Sequence, residues 1–484
     1  MNLAFADSPR GGKSAGTGGG PPGKAYLLHK AGSRKQERLA TSATPKGSGL
    51  LEEAASEGNL ATALLKVLRN KGAPGVDGKS VEEVVAASPR LLSKLRHELL
   101  KGSYRPGDVR RVWIPKPGGG QRGLGIPNVM DRWVQQAVLQ IMEPIFEPTF
   151  HPSSHGFREK RGAHTAIAQA KAYLEEGYTV VVDIDLAKFF DRVNHQRLLS
   201  RIGQRVADHR ILKLIGRMLK AKVAMPDGTR VGTEEGTPQG GPLSPLLSNI
   251  VLDELDWELE RRGLRFVRYA DDANIFVRSE RAGERVMAAV RRFLEKRLRL
   301  AVNQEKSSVT TPEDVHFLGF RFCRDKKGSF GAHLSRKSEE RIKSRAREMT
   351  PRTWGRSLQT CIEQLNGYLK GWSAYYRICS KEGAELMKVI DAHIRRRLRV
   401  IVIRQKRRPR FLYRHLVSRG VPEPMAAKTA FIRRGIWNRS NRRGITRAYP
   451  NDWFHERLES LWMRWLLFNP PPLASGEEQL LFVI

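Results

Sequence analysis

The spacing of apolar residues changes several times along the chain, and each change predicts an element. Between 51 and about 70, Leu60, Leu64, Leu65 and Leu68 recur at helical spacing, and a second helix is predicted over about Val81–Leu100. The Gly/Pro-punctuated stretch Lys71–Gly78 joins them as a loop. Residues 109–127 read as a hairpin, with Val109–Lys116 as one arm, Pro117–Gly120 as the turn and Gln121–Ile126 as the return. Asp131 is placed as the cap of the next helix. Val180–Asp185 begins as a buried strand, and alternation puts Asp183 and Asp185 on one face. Gly236–Pro245 is a Gly/Pro-rich loop running into a helical segment, Leu246–Leu252. Two runs rich in aromatic and β-branched residues flank Ala270–Ala273, which reads as two strands and a tight turn. An amphipathic helix follows at about 281–298, then a second apolar hairpin at Val315–Phe322. From Ser335 the pattern is helical and basic.

Composition adds a partner to this outline. Among 484 residues, 86 Lys and Arg face 50 Asp and Glu, a net charge of +36, which calls for a polyanion such as nucleic acid. The excess is concentrated: residues 395–447 hold 18 Lys/Arg and one acid, Glu423, interleaved with Phe411, Tyr413, Phe431 and Trp437. Residues 1–50, rich in Gly, Ser, Pro and Lys, read as a disordered basic tail. The sequence has no apolar run of 18 residues and no secretory signal. Cys323, Cys361 and Cys379 are far apart, which fits a reducing, intracellular setting; a cytoplasmic, nucleoid-associated protein with no membrane partner is expected.

The candidate chemistry sits at strand ends. Asp271 and Asp272 put two carboxylates side by side, and like charges that close raise each other's pKa unless a cation joins them. A hard divalent cation is the natural partner. With Asp185 or Asp183 as the third carboxylate, two such ions would activate a 3′-hydroxyl and stabilise a leaving pyrophosphate. Lys116 and Arg122 flank the first hairpin turn, either as a solvated face or as clamps on a triphosphate. Phe190 is placed beneath the sugar, where it would crowd a 2′-hydroxyl. Lys306 either protonates the pyrophosphate, contacts a backbone phosphate or is a plain surface lysine.

Taken in order, these motifs resemble the reverse transcriptase/maturase proteins encoded by group II introns. The matching residues are Lys71–Gly78, Ile114-Pro115-Lys116 with Arg122, Gly156-Phe157-Arg158, Asp185–Asp191, Thr237-Pro238-Gln239-Gly240-Gly241, Tyr269-Ala270-Asp271-Asp272, Phe317-Leu318-Gly319-Phe320 and Leu365–Tyr376. The resemblance implies an α+β right-hand polymerase, fingers and palm with antiparallel sheet, then an all-helical thumb/maturase domain and a basic C-terminal domain. The implied partition is 51–105 for an N-terminal extension, 106–330 for fingers and palm, 331–405 for the thumb, 406–470 for a basic nucleic-acid-binding domain and 471–484 for a tail. It selects Asp185 over Asp183 and adds the Leu186 carbonyl as a ligand of two Mg²⁺ ions, for which Mn²⁺ would substitute. Lys116, Arg122 and Arg158 would bind the triphosphate of a dNTP, Gln239 would line its base and sugar, and His316, Phe317, Leu318 and Gly319 would grip the primer. Candidate nucleic-acid contacts are Tyr368, Trp372, Arg395, Arg396, Arg407, Arg408, Arg433, Arg434, Arg442 and Arg443. The implied partners are intron RNA as template, a DNA primer or target and dNTPs; a homodimer is compatible with them.

Many such proteins carry a His-Asn-His nuclease with paired cysteines, and no cysteine follows residue 380 here, so a lineage lacking that nuclease is expected. Such a protein would prime from a nick or a replication fork end. Two alternatives accompany the main reading: a splicing-only RNA binder, against which the intact Asp185/Asp271/Asp272 set argues, and a host-adapted reverse transcriptase acting in DNA repair without an intron.

Overall fold

The computed structural model describes residues 49–115 and 119–470. The expected disordered tail up to residue 48, Lys116 with the start of its turn, and the tail 471–484 lie outside the described residues. The remainder forms two compact units, one of residues 49–173 and 178–310 and the other of 174–177 and 311–470. Among the described residues no helix is long and apolar enough to cross a membrane.

The first unit opens with α1 (Leu50–Ala54) and α2 (Glu57–Arg69), separated at Ser56, whose hydroxyl accepts from the Asn59 amide and caps α2. Leu60 and Leu64 turn inward and Leu65 outward, as an amphipathic helix requires. α3 (Val81–Leu100) starts on a reciprocal Ser80/Glu83 capping box. β1 (Val109–Pro115) and β2 (Gln121–Ile126) form the antiparallel hairpin, with Ile114 opposite Arg122.

Asp131 does not cap the next helix. α4 (Val129–Phe146) starts three residues earlier than that cap would set, after Asn128, and Asp131 is buried in its first turn. There its carboxylate accepts from the Tyr104 hydroxyl at 2.7 Å and the Gly107 amide at 3.2 Å, while burial lifts its pKa to about 6. The local signal was right about a helix start and wrong about its register, because the side chain was recruited by a distant tyrosine.

After α5 (Ala163–Glu175) comes β3 (Val180–Ile184), then α6 (His195–Gly203), α7 (His209–Leu219) and two short strands, β4 (Val223–Ala224) and β5 (Arg230–Val231). β4 pairs in parallel with β1, giving a first sheet of order β2-β1-β4-β5. The Gly/Pro loop leads into α8 (Ser244–Arg261), followed by β6 (Arg265–Tyr269), β7 (Asp272–Val277), α9 (Glu280–Phe293) and β8 (Ser308–Thr310). These strands and β3 make a second, wholly antiparallel sheet of order β6-β7-β3-β8. Its register puts Ile184 opposite Ala273 and Phe266 opposite Ile275, so one face is a continuous apolar layer in the core. Asp183, opposite Asn274, lies on the other face with Asp272.

In the second unit, the segment Val315–Phe322 is a tight turn closed between Phe317 and Phe320. The longer ladder joins β9 (Phe320–Arg324) to β10 (Phe330–Leu334). The Phe330 amide donates to Glu175 Oε1 at 2.8 Å, so the small excursion 174–177 belongs to this unit. α10 (Arg336–Met349), α11 (Leu358–Tyr376) and α12 (Lys381–Gln405) follow, and helices continue to Phe468.

Candidate active site

The tight turn of the second sheet consists of two residues, Ala270 and Asp271, closed by the pairing of Tyr269 with Asp272. Ala270 adopts a left-handed φ of +57° although it is not glycine. Asp272 is already the first residue of β7, and the register with β3 brings it beside the chain just past Ile184, where Asp185 lies. Asp185 is fixed by its backbone: its amide donates to the Ser307 hydroxyl at 3.0 Å and its carbonyl accepts from the Asn303 amide at 2.8 Å. Its Oδ2 lies 4.0 Å from Lys306 Nζ. Leu186, next in the chain, is buried and bridges to Val302.

The carboxylates influence one another. Burial pushes the Asp272 carboxyl up to about 7, and the charges of Asp271, Asp183 and Asp185 push in the same direction. Asp271 is also raised, mainly by burial; Arg122 opposes the shift and Asp185 adds to it. Among the described residues no three His, Cys, Asp or Glu side chains already stand at metal-coordinating spacing. Asp185, Asp271 and Asp272 are neighbours rather than a closed cage. As a donor set they fit a hard divalent cation: all offer oxygen, and the Asp271 and Asp272 carboxylates are held at a desolvation and repulsion cost that such a cation would relieve.

Two loops and β2 are bonded to one another, and β2 brings Arg122 to this turn. Phe189–Asp191 forms a 3₁₀ turn after Lys188, and Phe190, 9% exposed, stacks edge-on against Phe189. The Phe190 carbonyl accepts from the Thr237 amide at 2.6 Å, and His195 Nε2 sits 2.6 Å from the Gly236 carbonyl, tying the Gly/Pro loop to it. Gln239 accepts from Arg122 Nε at 2.9 Å, and its carbonyl accepts from the Gly125 amide at 2.9 Å. Gly240 at φ +138° packs on the Gly125 carbonyl, where no side chain would fit. Arg122 and Gln239, 117 residues apart, are thus brought together near Asp271.

Other expected contacts move. Arg158 is buried: Nε donates to Glu147 Oε1 at 2.8 Å and Nη1 to the His151 and Ser154 carbonyls at 2.7 and 2.9 Å. These bonds make it the internal brace of its own loop, so it is not offered to a triphosphate. Trp372 is also buried, its ring 4.4 Å from that of Tyr376, and is core rather than a stacking surface for bases. Tyr368 is half-buried. Arg396 donates to the Trp437 carbonyl at 2.8 Å and, like Arg395, is half-buried, whereas Arg407, Arg408, Arg433, Arg434, Arg442 and Arg443 are exposed. In the second unit His316 Nδ1 lies 2.6 Å from the Ser335 hydroxyl, and Phe317 is buried. Leu318 and Gly319 both take positive φ, +52° and +87°. Sequence reasoning gave no role to His195 or Gly156, whose small size lets the Ala270 amide pack directly on it. The glycine was quoted within a motif, but only the packing shows what it does.

Carboxylates just past β3 and at the start of β7, with a Gly/Pro loop in the same unit, are a donor set suited to divalent-metal chemistry on a polyanion. The comparisons specify it. Residues 114–322 match the family model of reverse transcriptase (RNA-dependent DNA polymerase), and residues 339–420 match that of the group II intron maturase-specific domain. Protein YkfC of Escherichia coli K12 is 35% identical over 338 residues, covering 61% of this chain and 88% of that protein. Group II intron-encoded protein LtrA of Lactococcus lactis is 35% identical over 200 residues, 41% of this chain and 33% of LtrA. The retron Mx65 reverse transcriptase of Myxococcus xanthus is 29% identical over 245 residues, 48% of this chain and 55% of that enzyme. The chain belongs to the family of group II intron-encoded reverse transcriptase/maturase proteins. It is an RNA-directed DNA polymerase, divalent-metal-dependent, acting on RNA and DNA.

Proposed function

We propose that Asp185, Asp271 and Asp272, with the Leu186 carbonyl, hold two Mg²⁺ ions for nucleotidyl transfer onto a primer copied from RNA. Bound there, the ions supply activation of the 3′-hydroxyl and neutralise charge on the departing pyrophosphate. The chain's own residues position the reactants. Lys116 and Arg122 grip the triphosphate, and Arg122 exchanges its bond to Gln239 for a phosphate oxygen as the nucleotide enters. Gln239 then faces base and sugar, and Phe190 crowds a 2′-hydroxyl so that deoxynucleotides are favoured. Lys306, within 4.0 Å of Asp185, hands a proton to the pyrophosphate. His316–Gly319 grips the primer, and the exposed arginines at 407–408, 433–434 and 442–443 hold RNA phosphates.

The observation that carries this reading is the gathering of the Asp185 and Asp271–Asp272 carboxylates, far apart in sequence, at adjoining strand ends of one sheet. Primer extension on an RNA template tests it: Asp271→Ala and Asp272→Ala are each expected to lower the rate by about a thousandfold or more. Unchanged extension in either variant would overturn the assignment. The maturase-specific domain supports a second role on the same RNA: binding the intron that encodes the protein, promoting its splicing and copying it into a new DNA site. A splicing assay with the flanking RNA checks this independently of polymerisation.

A further inference from the structure

Beneath the Ala270–Asp271 turn lies a buried polar cluster that neither the metal site nor the nucleotide site uses. Arg268 belongs to β6 but pairs with Ala273, so its side chain leaves the sheet on the face opposite Asp272. It is 1% exposed, and its ion-pair partner Asp256, on α8, is fully buried. Its guanidinium makes a complete set of bonds. Nε donates to Asp256 Oδ1 at 2.7 Å and Nη2 to Oδ2 at 2.6 Å. Nη2 also reaches Ser154 Oγ at 2.7 Å. Nη1 donates to Asn249 Oδ1 at 3.0 Å and to the Ala270 carbonyl at 2.8 Å.

The last bond bears on the site. The Ala270 carbonyl belongs to the peptide that links the left-handed residue to Asp271, so fixing that oxygen fixes the peptide plane from which the Asp271 side chain departs. The surroundings repeat the constraint. Asn249 Nδ2 donates to the Gly156 carbonyl at 2.9 Å, and Gly156 is the residue on which the Ala270 amide packs. The backbone of Arg268 is itself clamped, its amide donating to Ser153 O at 2.9 Å and its carbonyl accepting from His155 N at 2.8 Å. α8 and the 153–156 loop therefore meet at one guanidinium, which touches no reacting atom. A lysine there would carry the charge but could not reach Asp256, Asn249, Ser154 and Ala270 together.

We infer that Arg268, anchored by Asp256, is the positioning residue of the catalytic turn: it sets the direction of the Asp271 and Asp272 carboxylates through the Ala270 carbonyl and so governs turnover and divalent-cation affinity, not nucleotide affinity. The inference rests on Asp271 and Asp272 being the cation-binding pair.

The test compares Arg268→Lys, Asp256→Asn and Asn249→Ala, with Arg261→Gln on the exposed surface of α8 as control, in the full-length protein. Single-nucleotide extension gives kcat and KM, fluorescence anisotropy gives primer–template affinity, and electron paramagnetic resonance gives Mn²⁺ binding. Because a displacement of about 1 Å can cost on the order of a hundredfold, Arg268→Lys is expected to lower kcat about 30- to 100-fold while KM for dNTP and primer–template affinity stay within about threefold. Mn²⁺ affinity should fall with kcat. Asn249→Ala leaves the ion pair in place and should lower kcat about fivefold with the same split, which keeps the test open if Arg268→Lys does not fold. Unchanged kcat and Mn²⁺ affinity in a folded Arg268→Lys, or in Asn249→Ala where it does not fold, overturns the inference. So does a loss in which KM for dNTP rises and primer–template affinity falls along with kcat, because that is a merely structural role. If Asp271→Ala remains active, the underlying assignment has failed instead; an inactive Asp271→Ala beside a fully active Arg268→Lys sinks only the positioning role.

Discussion

Ala270-Asp271 in the first unit and Leu318-Gly319 in the second are both two-residue turns whose first residue is not glycine yet sits at positive φ, +57° and +52°. They are held by different chemistry. The first is backed by a buried ion pair through Arg268. The second is held by neutral donors, one hydroxyl and one backbone amide: Tyr375 Oη donates to the Leu318 carbonyl at 2.8 Å, and the Ser335 amide donates to the Gly319 carbonyl at 3.0 Å. Their second residues differ in kind. Asp271 offers a carboxylate, whereas Gly319 is needed for its space, because a Cβ there would stand 2.6 Å from Tyr376 Oη. A turn that presents charge has a charged anchor behind it, and a turn that presents backbone and apolar surface does not.

Five outcomes would break or sharpen this contrast. Gly156→Ala pushes a methyl into the Ala270 amide and is expected to lower primer extension about a hundredfold, with folding checked by circular dichroism. An enzyme of normal rate would mean that the first turn tolerates displacement.

The next effect is in pH. Burial pushes the Asp272 carboxyl up to about 7, so if a cation binds its ionised form as proposed, half-saturating divalent cation should rise about tenfold from pH 8 to pH 6 in an extension assay. Stability of the cation-free protein should move oppositely at the two turns. Asp272, raised in the folded state, contributes stability below its unfolded value of 3.8 that is lost as pH rises to about 7. His316, pushed down to about 4 by burial and by Lys337 and Arg341, contributes stability above 6.5 that is lost as pH falls to about 4. Thermal melts of Asp272→Asn and His316→Asn across that range should each flatten one of these slopes. A parent-like slope in either variant removes that turn from the account.

Gly319→Ala, strained in φ as well as crowded, should destabilise the second unit by about 2 kcal/mol in denaturant unfolding. Tyr375→Phe removes one neutral bond and should cost about 1 kcal/mol by the same measurement. A Tyr375→Phe loss exceeding that of Gly319→Ala would mean the hydroxyl, not the space for glycine, dominates this turn.

The hairpin and its paired aspartates were legible because alternation and a local charge conflict lie within a few adjacent residues. The span of α3 was legible because its Ser80 cap is local. What could not be read was which polar side chains are already committed. Arg158 looks like a free cation in a loop until Glu147 and two carbonyls are found around it. Trp372 looks like a base-stacking ring until Tyr376 is seen beside it. The buried Arg268 cluster behind the Ala270–Asp271 turn had a faint signal: Asn249 and Asp256 are seven apart, two helical turns along one face of α8, and strand alternation sends Arg268 to the apolar side of its sheet, where a lone charge would be costly. Neither clue says that the two meet.

The assignment of Leu174–Gly177 to the second unit has a consequence for recombination. With Glu175 accepting from the Phe330 amide, that unit is not one uninterrupted piece of gene. A crossover that imported residues 311–470 from a relative would leave this acceptor behind on the recipient's side. Functional chimaeras should therefore favour donors and recipients that agree at position 175, or exchanges that carry both segments together.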